Sequence, residues 1–226
     1  MKKIYVFGDS IGQGLYMDEE GNYRLSRRGC VRLLKKSGLP VENHARHGFT
    51  VREGLAGFGK TETEADGLCV IEFTGNDCDL DWDAVSAEPE IFHDGKVPLE
   101  EFRSKLQRFV TLARERSLEP VLVTPPPILS ERYFRFVSAG RSAANILRYL
   151  GDDEHISRWQ ERYANAIRDV AFTLHCRLAD VRGWMLEERS LETLMSPDGI
   201  HPNEAGQEHL ARYFAELCEI PLRLES

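Results

Sequence analysis

Four short stretches of this chain carry side chains whose types and spacing could cleave an acyl ester. Phe7-Gly8-Asp9-Ser10-Ile11-Gly12 sets a serine hydroxyl in a Gly-flanked turn straight after the apolar run Ile4–Phe7. A serine hydroxyl is a poor nucleophile until a neighbouring base takes its proton, and histidine is the usual base. Asp198-Gly199-Ile200-His201 offers one, with a carboxylate three residues before it. In a turn that spacing brings both side chains to one side, so Asp198 could accept from the Nδ1–H of His201 and leave Nε2 for Ser10. Pro202 pushes His201 out of the helical region into an extended conformation, which helps to aim the ring. Charge developing on the carbonyl oxygen needs fixed donors. The Ser10 N–H, the Gly48 N–H in Arg46-His47-Gly48-Phe49-Thr50 and the side-chain amide of Asn76 in Thr74-Gly75-Asn76-Asp77 could supply them. Taken singly, each has a plainer reading: His201 as a helix-cap histidine, Gly48 as a turn glycine, Asn76 as a strand-exit turn residue.

Those residues act together only if the fold gathers them on one rim. Five apolar stretches read as strands: 3–7, 41–44, 68–73, 121–124 and 176–180. Between them 30–37, 51–58, 99–116 and 156–174 carry apolar residues at three- and four-residue spacing, and a last helix is expected from Pro202 towards Cys218. Strands alternating with helices imply βαβ units, a parallel sheet and right-handed crossovers that cover both faces. In such sheets ligands bind at the carboxyl ends of the strands, where Ser10, Gly48 and Asn76 all fall. Two segments break the alternation. Residues 76–98 are acidic and carry Trp82 and Phe92; residues 125–153 open with three prolines and carry Tyr133, Phe134 and Phe136. Both are expected to be loop insertions walling or covering the site, with an oligomer contact as the alternative.

Taken together, the four stretches resemble the SGNH hydrolases, also called the GDSL esterase/lipase family. The resemblance runs from Ser10 to His201 with the motifs in the family's order: Gly8-Asp9-Ser10, then Gly48, then Gly75-Asn76-Asp77, then Asp198-Gly199-Ile200-His201. Ile11 stands where the name-giving motif has Leu. The resemblance implies Ser10 as nucleophile, Asp198 and His201 as its partners, and Ser10 N–H, Gly48 and Asn76 as the oxyanion hole. It also implies a single domain over residues 1–226 with a three-layer α/β/α, flavodoxin-like architecture on a five-stranded parallel sheet. The expected activity is hydrolysis of a small or short-acyl carboxylic ester, with an acetylated sugar one option. Acyltransferase, lysophospholipase and thioesterase activities are alternatives on the same fold. Asp9, His47, Asp77, Tyr133 and Phe134 are candidate substrate contacts.

Competing patterns fit less of the chain. Gly8-Asp9-Ser10-Ile11-Gly12 also matches the G-x-S-x-G elbow of α/β-hydrolases, but that fold needs several strands before its nucleophile. A phosphate-cradling loop, as in a flavin- or ligand-binding module, gives no reason for Asn76 and the Asp198/His201 pair to share the rim. The run Asp77-x-Asp79-x-Asp81-Trp82 approximates a calcium loop, with Trp82 where a glycine must turn, and the other histidines lack ligand spacing; no metal and no cofactor are expected.

The 226 residues suffice for one large α/β domain with a substantial core. A formal net charge of −8 argues against nucleic acid as partner. About four apolar residues follow Met1-Lys2-Lys3, too few for a secretory signal, and no stretch reaches the ~20 of a membrane span. Five widely spaced cysteines without a C-x-x-C pair favour free thiols and a cytoplasmic location. The expected partner is a small-molecule ester, with a homo-oligomer possible.

Overall fold

The computed structural model describes residues 2–219 and 222. Strand β1 (Ile4–Gly8) is buried on both faces, as its unbroken apolar run requires. After it come a single helical turn, α1 (Ser10–Gln13), and an antiparallel hairpin, β2 (Leu15–Met17) and β3 (Tyr23–Leu25). Helix α2 (Cys30–Lys36) leads to β4 (Val41–Asn43), and α3 (Val51–Lys60) to β5 (Leu68–Glu72). Two short helices, α4 (Gly75–Cys78) and α5 (Trp82–Ala87), precede α6 (Leu99–Glu115) and β6 (Glu119–Val123). Helices α7 (Ser130–Ser138), α8 (Ala143–Leu150) and α9 (His155–Thr173) follow. The chain then forms β7 (Arg177–Ala179), α10 (Val181–Met185) and α11 (Glu204–Leu217).

The main sheet has the order β4-β1-β5-β6-β7, and all its neighbours pair parallel. Every strand therefore ends on the same rim. Alternation along the strands divides the core. Tyr5, Phe7, Cys69, Ile71 and Leu122 face α3, α6 and α9, where Phe58, Phe102, Phe109 and Tyr163 are fully buried. Truncating one of those phenylalanines to Ala would cost roughly 3–5 kcal/mol. Ile4, Val6, Val121 and Val123 face α2, α10 and α11.

Two expectations need correction. The last helix begins at Glu204, two residues past Pro202, because the Asn203 side chain caps it by accepting from the Gly206 N–H, while Pro202 bridges to Met195. Segments 76–98 and 125–153 are not plain loops: the second is mostly helical and the first holds two short helices. They carry α4, α5, α7 and α8, and their apolar faces (Trp82, Val85, Tyr133, Val137, Ile146 and Leu150) pack into a third cluster. The prolines at 125–127 precede α7 and Pro98 precedes α6, so none of them interrupts a helix.

Candidate active site

Ser10 sits at the start of α1, where β1 delivers it, and its side chain is buried. Its Oγ lies 2.8 Å from His201 Nε2, and His201 Nδ1 lies 2.6 Å from Asp198 Oδ2. Residues 191 positions apart thus meet in one hydrogen bond. Nδ1–H donates to Asp198, which leaves Nε2 as an acceptor for the Ser10 hydroxyl. The other Asp198 oxygen accepts from the backbone N–H groups of Ile200 and His201, both at 3.1 Å, and so fixes the turn that aims the ring. Burial pushes the Asp198 carboxyl up, but the His201 ring and these donors outweigh it and hold it below the usual carboxylate range. The turn is braced from two sides: Leu129 N–H donates to Gly199 O, and Ser196 Oγ accepts from Met17 N–H of the hairpin.

The expected oxyanion donors lie on three loops that are stitched together. Arg46 N–H donates to Gly8 O, and His47 N–H to Gln13 Oε1 at 2.7 Å, which holds the loop after β4 against the Ser10 turn. Asn76 Nδ2 donates to Phe49 O at 3.1 Å; this orients the amide and leaves its second N–H to act elsewhere. Gly48 has φ +79°, a left-handed turn conformation that suits glycine. The Ser10 and Gly48 N–H groups find no acceptor among the described residues, as donors reserved for a ligand oxygen would not.

Beneath this rim lie three buried carboxyls, Asp9, Glu72 and Asp77. Asp9 caps α1 by accepting from Ile11 N–H, and Asp77 Oδ1 accepts from Val51 N–H at 2.9 Å, tying the loop after β5 to α3. Both are sealed from solvent, so their expected role as substrate contacts is replaced by an architectural one. Burial pushes the Asp77 carboxyl up to about 7, and Asp9 is raised for the same reason. Tyr133 is likewise buried, its hydroxyl donating to Asp79 at 2.7 Å, and Phe134 packs into the third cluster. Tyr133 does line a small cavity of about 30 Å³ with Gly75 and Ile128, next to Asn76. His47 is exposed beside the site, 5.9 Å from the Tyr23 ring.

Three residues here were not singled out from the sequence. Tyr23 on β3 stands edge-on to His201, ring centroids 5.4 Å apart, and is 42 % exposed. The turn signal Asp18-Glu19-Glu20-Gly21-Asn22 announces its hairpin. Asp79, within the acidic run, accepts from Trp82 Nε1 and Tyr133 and pairs with Lys96. Glu72 holds the Ser10 turn from below: its Oε2 accepts from Gly12 N–H at 3.1 Å, and a Cβ at Gly12 would come within 2.8 Å of that oxygen. Among the described residues no group of three or more His, Cys, Asp or Glu side chains is placed to share a metal ion.

The sequence profile of the GDSL-like lipase/acylhydrolase family matches residues 6–209. No curated protein sequence matches the chain. Solved structures of similar fold include a lipase/acylhydrolase from Enterococcus faecalis, 20 % identical over the whole of both chains with a TM-score of 0.67. The acetylxylan esterase Axe2 from Geobacillus stearothermophilus is 20 % identical over 99 % of this chain and 97 % of its own, with a TM-score of 0.66. LAE5, an α/β hydrolase from the metagenome of Lake Arreo, is 23 % identical over 95 % and 94 %, with a TM-score of 0.64.

Proposed function

The chain belongs to the GDSL-like lipase/acylhydrolase family and is a carboxylic ester hydrolase, and from that premise we propose that it cleaves a short-acyl ester, such as an acetylated sugar, through an acyl-enzyme on Ser10. The observation that carries this reading is the continuous Ser10–His201–Asp198 hydrogen-bond chain at 2.8 and 2.6 Å. His201 Nε2 takes the Ser10 proton as Oγ attacks the ester carbonyl, and the imidazolium is stabilised by ionised Asp198. The oxyanion is received by Ser10 N–H, Gly48 N–H and the free N–H of Asn76. His201 then protonates the leaving alkoxide, and the alcohol departs. Water, deprotonated by the same imidazole, attacks the acyl-enzyme and releases the acid and Ser10.

The small, largely apolar cavity that begins at Gly75, the residue before Asn76, favours a short acyl group over a long one. On the other side of His201 the half-open Tyr23 ring offers a flat apolar surface of the kind on which sugar rings stack. The acetylxylan esterase among the structures of similar fold favours the same alcohol class. No helix among the described residues is long and apolar enough to cross a membrane, and the five cysteines are unpaired, which supports a reducing, cytoplasmic setting. A panel of p-nitrophenyl esters from acetate to octanoate tests the reading: kcat/KM should fall steeply beyond propionate. Equal or rising rates towards octanoate would replace it with a lipase or thioesterase reading.

A further inference from the structure

The two faces of the sheet are not equally sealed. At the centre of β5, Cys69 and Ile71 are fully buried against α6 and α9, whereas Leu68 and Val70, on the opposite face, are only half-buried. Their exposed surface lines a cavity of about 100 Å³ between the sheet and helices α2 and α11. Its walls are almost wholly apolar, with Val6, Leu34, Val70, Val121 and Leu210 among them. Arg177 lies at its outer lining, and its charge is already paired with Glu119. Apolar cavities of this order stay free of water and take up small apolar molecules.

One side chain breaks the apolar lining. Glu72 projects into the cavity from the end of β5 and is 8 % exposed. Its Oε2 is engaged by the Gly12 and Asp9 N–H groups, while its Oε1 has no hydrogen-bond partner among the described residues. An oxygen with an open hydrogen-bonding position on an otherwise apolar wall favours a ligand that brings one polar group with an apolar chain. We propose that this cavity is a binding site for a medium-length aliphatic alcohol, its chain between β5 and helices α2 and α11 and its hydroxyl on the free oxygen of Glu72. The head group is neutral because no cation stands at that end, and Asp9 lies alongside Glu72; a carboxylate there would add an uncompensated buried charge. Burial, with Asp9 nearby, pushes the Glu72 carboxyl well up, so that it too is neutral and can donate to the alcohol oxygen. The site lies under the Ser10 turn, between the sheet and helices α2 and α11, and does not depend on the esterase reading.

NMR titration of the full chain with 1-octanol tests this, on the wild type and on Ser10→Ala in parallel. Saturable shifts are expected at the Gly12 and Asp9 amides in both proteins, with NOEs from the octanol methylenes to the Val70 and Leu34 methyls. Saturating octanol should raise Tm by about 2–4 °C, as a ligand confined to the native state does. Val70→Phe should fill the cavity and abolish both effects; if that variant does not fold, the wild-type NOEs decide alone. Absence of saturable shifts up to the solubility of octanol would overturn the proposal, as would NOEs confined to Tyr23, Ile128 or Tyr133 beside Ser10. Octanoate binding as tightly as octanol at pH 8 would overturn the neutral head group.

Discussion

Asp198 and Asp77 are both fully buried carboxyls at the same rim, yet their surroundings drive them in opposite directions. Asp198 accepts from an imidazole N–H and two backbone N–H groups and is held ionised below the usual range. Asp77 accepts from one backbone N–H, leaves Oδ2 unpartnered and is pushed up to about 7, with burial as the largest cause. Burial alone therefore does not make a carboxyl a working group. The donors around it decide whether it carries charge towards a reacting atom or merely ties two loops together. Asp9 and Glu72 fall on the same side as Asp77, each raised by burial and each spent on backbone N–H groups of the Ser10 turn.

The widest separation between the two kinds should appear on amide substitution. Asp198→Asn keeps the shape of the turn but presents a donor where the Nδ1–H needs an acceptor, so kcat should fall by up to about 10⁴ with the fold intact. Steady-state kinetics alongside circular dichroism would check it; undiminished kcat would put Asp198 with Asp77 as a tie. Asn76→Ala should come next, lowering kcat by about 10²–10³ with KM little changed, since an oxyanion donor acts mainly on the transition state. A rise in KM at constant kcat would make Asn76 a ground-state contact instead.

Asp77→Asn should have the smallest effect on turnover and a distinct effect on stability. Between its unfolded value of 3.8 and its folded value of about 7, native Asp77 keeps a proton that the unfolded chain has lost. Its contribution is thus fully present below about pH 4 and is lost as pH rises through 7. The Asn variant cannot ionise, so its Tm should gain on the wild type between pH 4 and pH 8. Thermal melts across that range measure the difference, and parallel pH curves for the two proteins would contradict the ascribed burial.

The same contrast explains what could be read ahead of the structure. The meeting of Ser10, His201 and Asp198 was legible because their types, order and flanking turns place them on one rim, and the five strands because their apolar runs are bounded by Gly, Pro and polar residues. The roles of Asp9 and Asp77 were not, because neighbouring a motif residue says nothing about which way a carboxyl points. Helices α7 and α8 were hidden by the three prolines before them, which end the β6 strand without preventing Tyr133, Val137, Ile146 and Leu150 from lining up on helical faces. Glu72 looked like one polar residue in an apolar strand; only the pairing of β1 with β5, Gly8 opposite Glu72, brings it under the Ser10 turn.

The central claim is that Ser10 is the residue that takes the acyl group. Mass spectrometry of the protein after incubation with a fluorophosphonate addresses it without knowledge of the natural ester. One adduct on the peptide containing Ser10, absent from Ser10→Ala and His201→Ala, is the predicted result. An adduct on another residue, or unimpaired labelling of Ser10→Ala, would contradict the account.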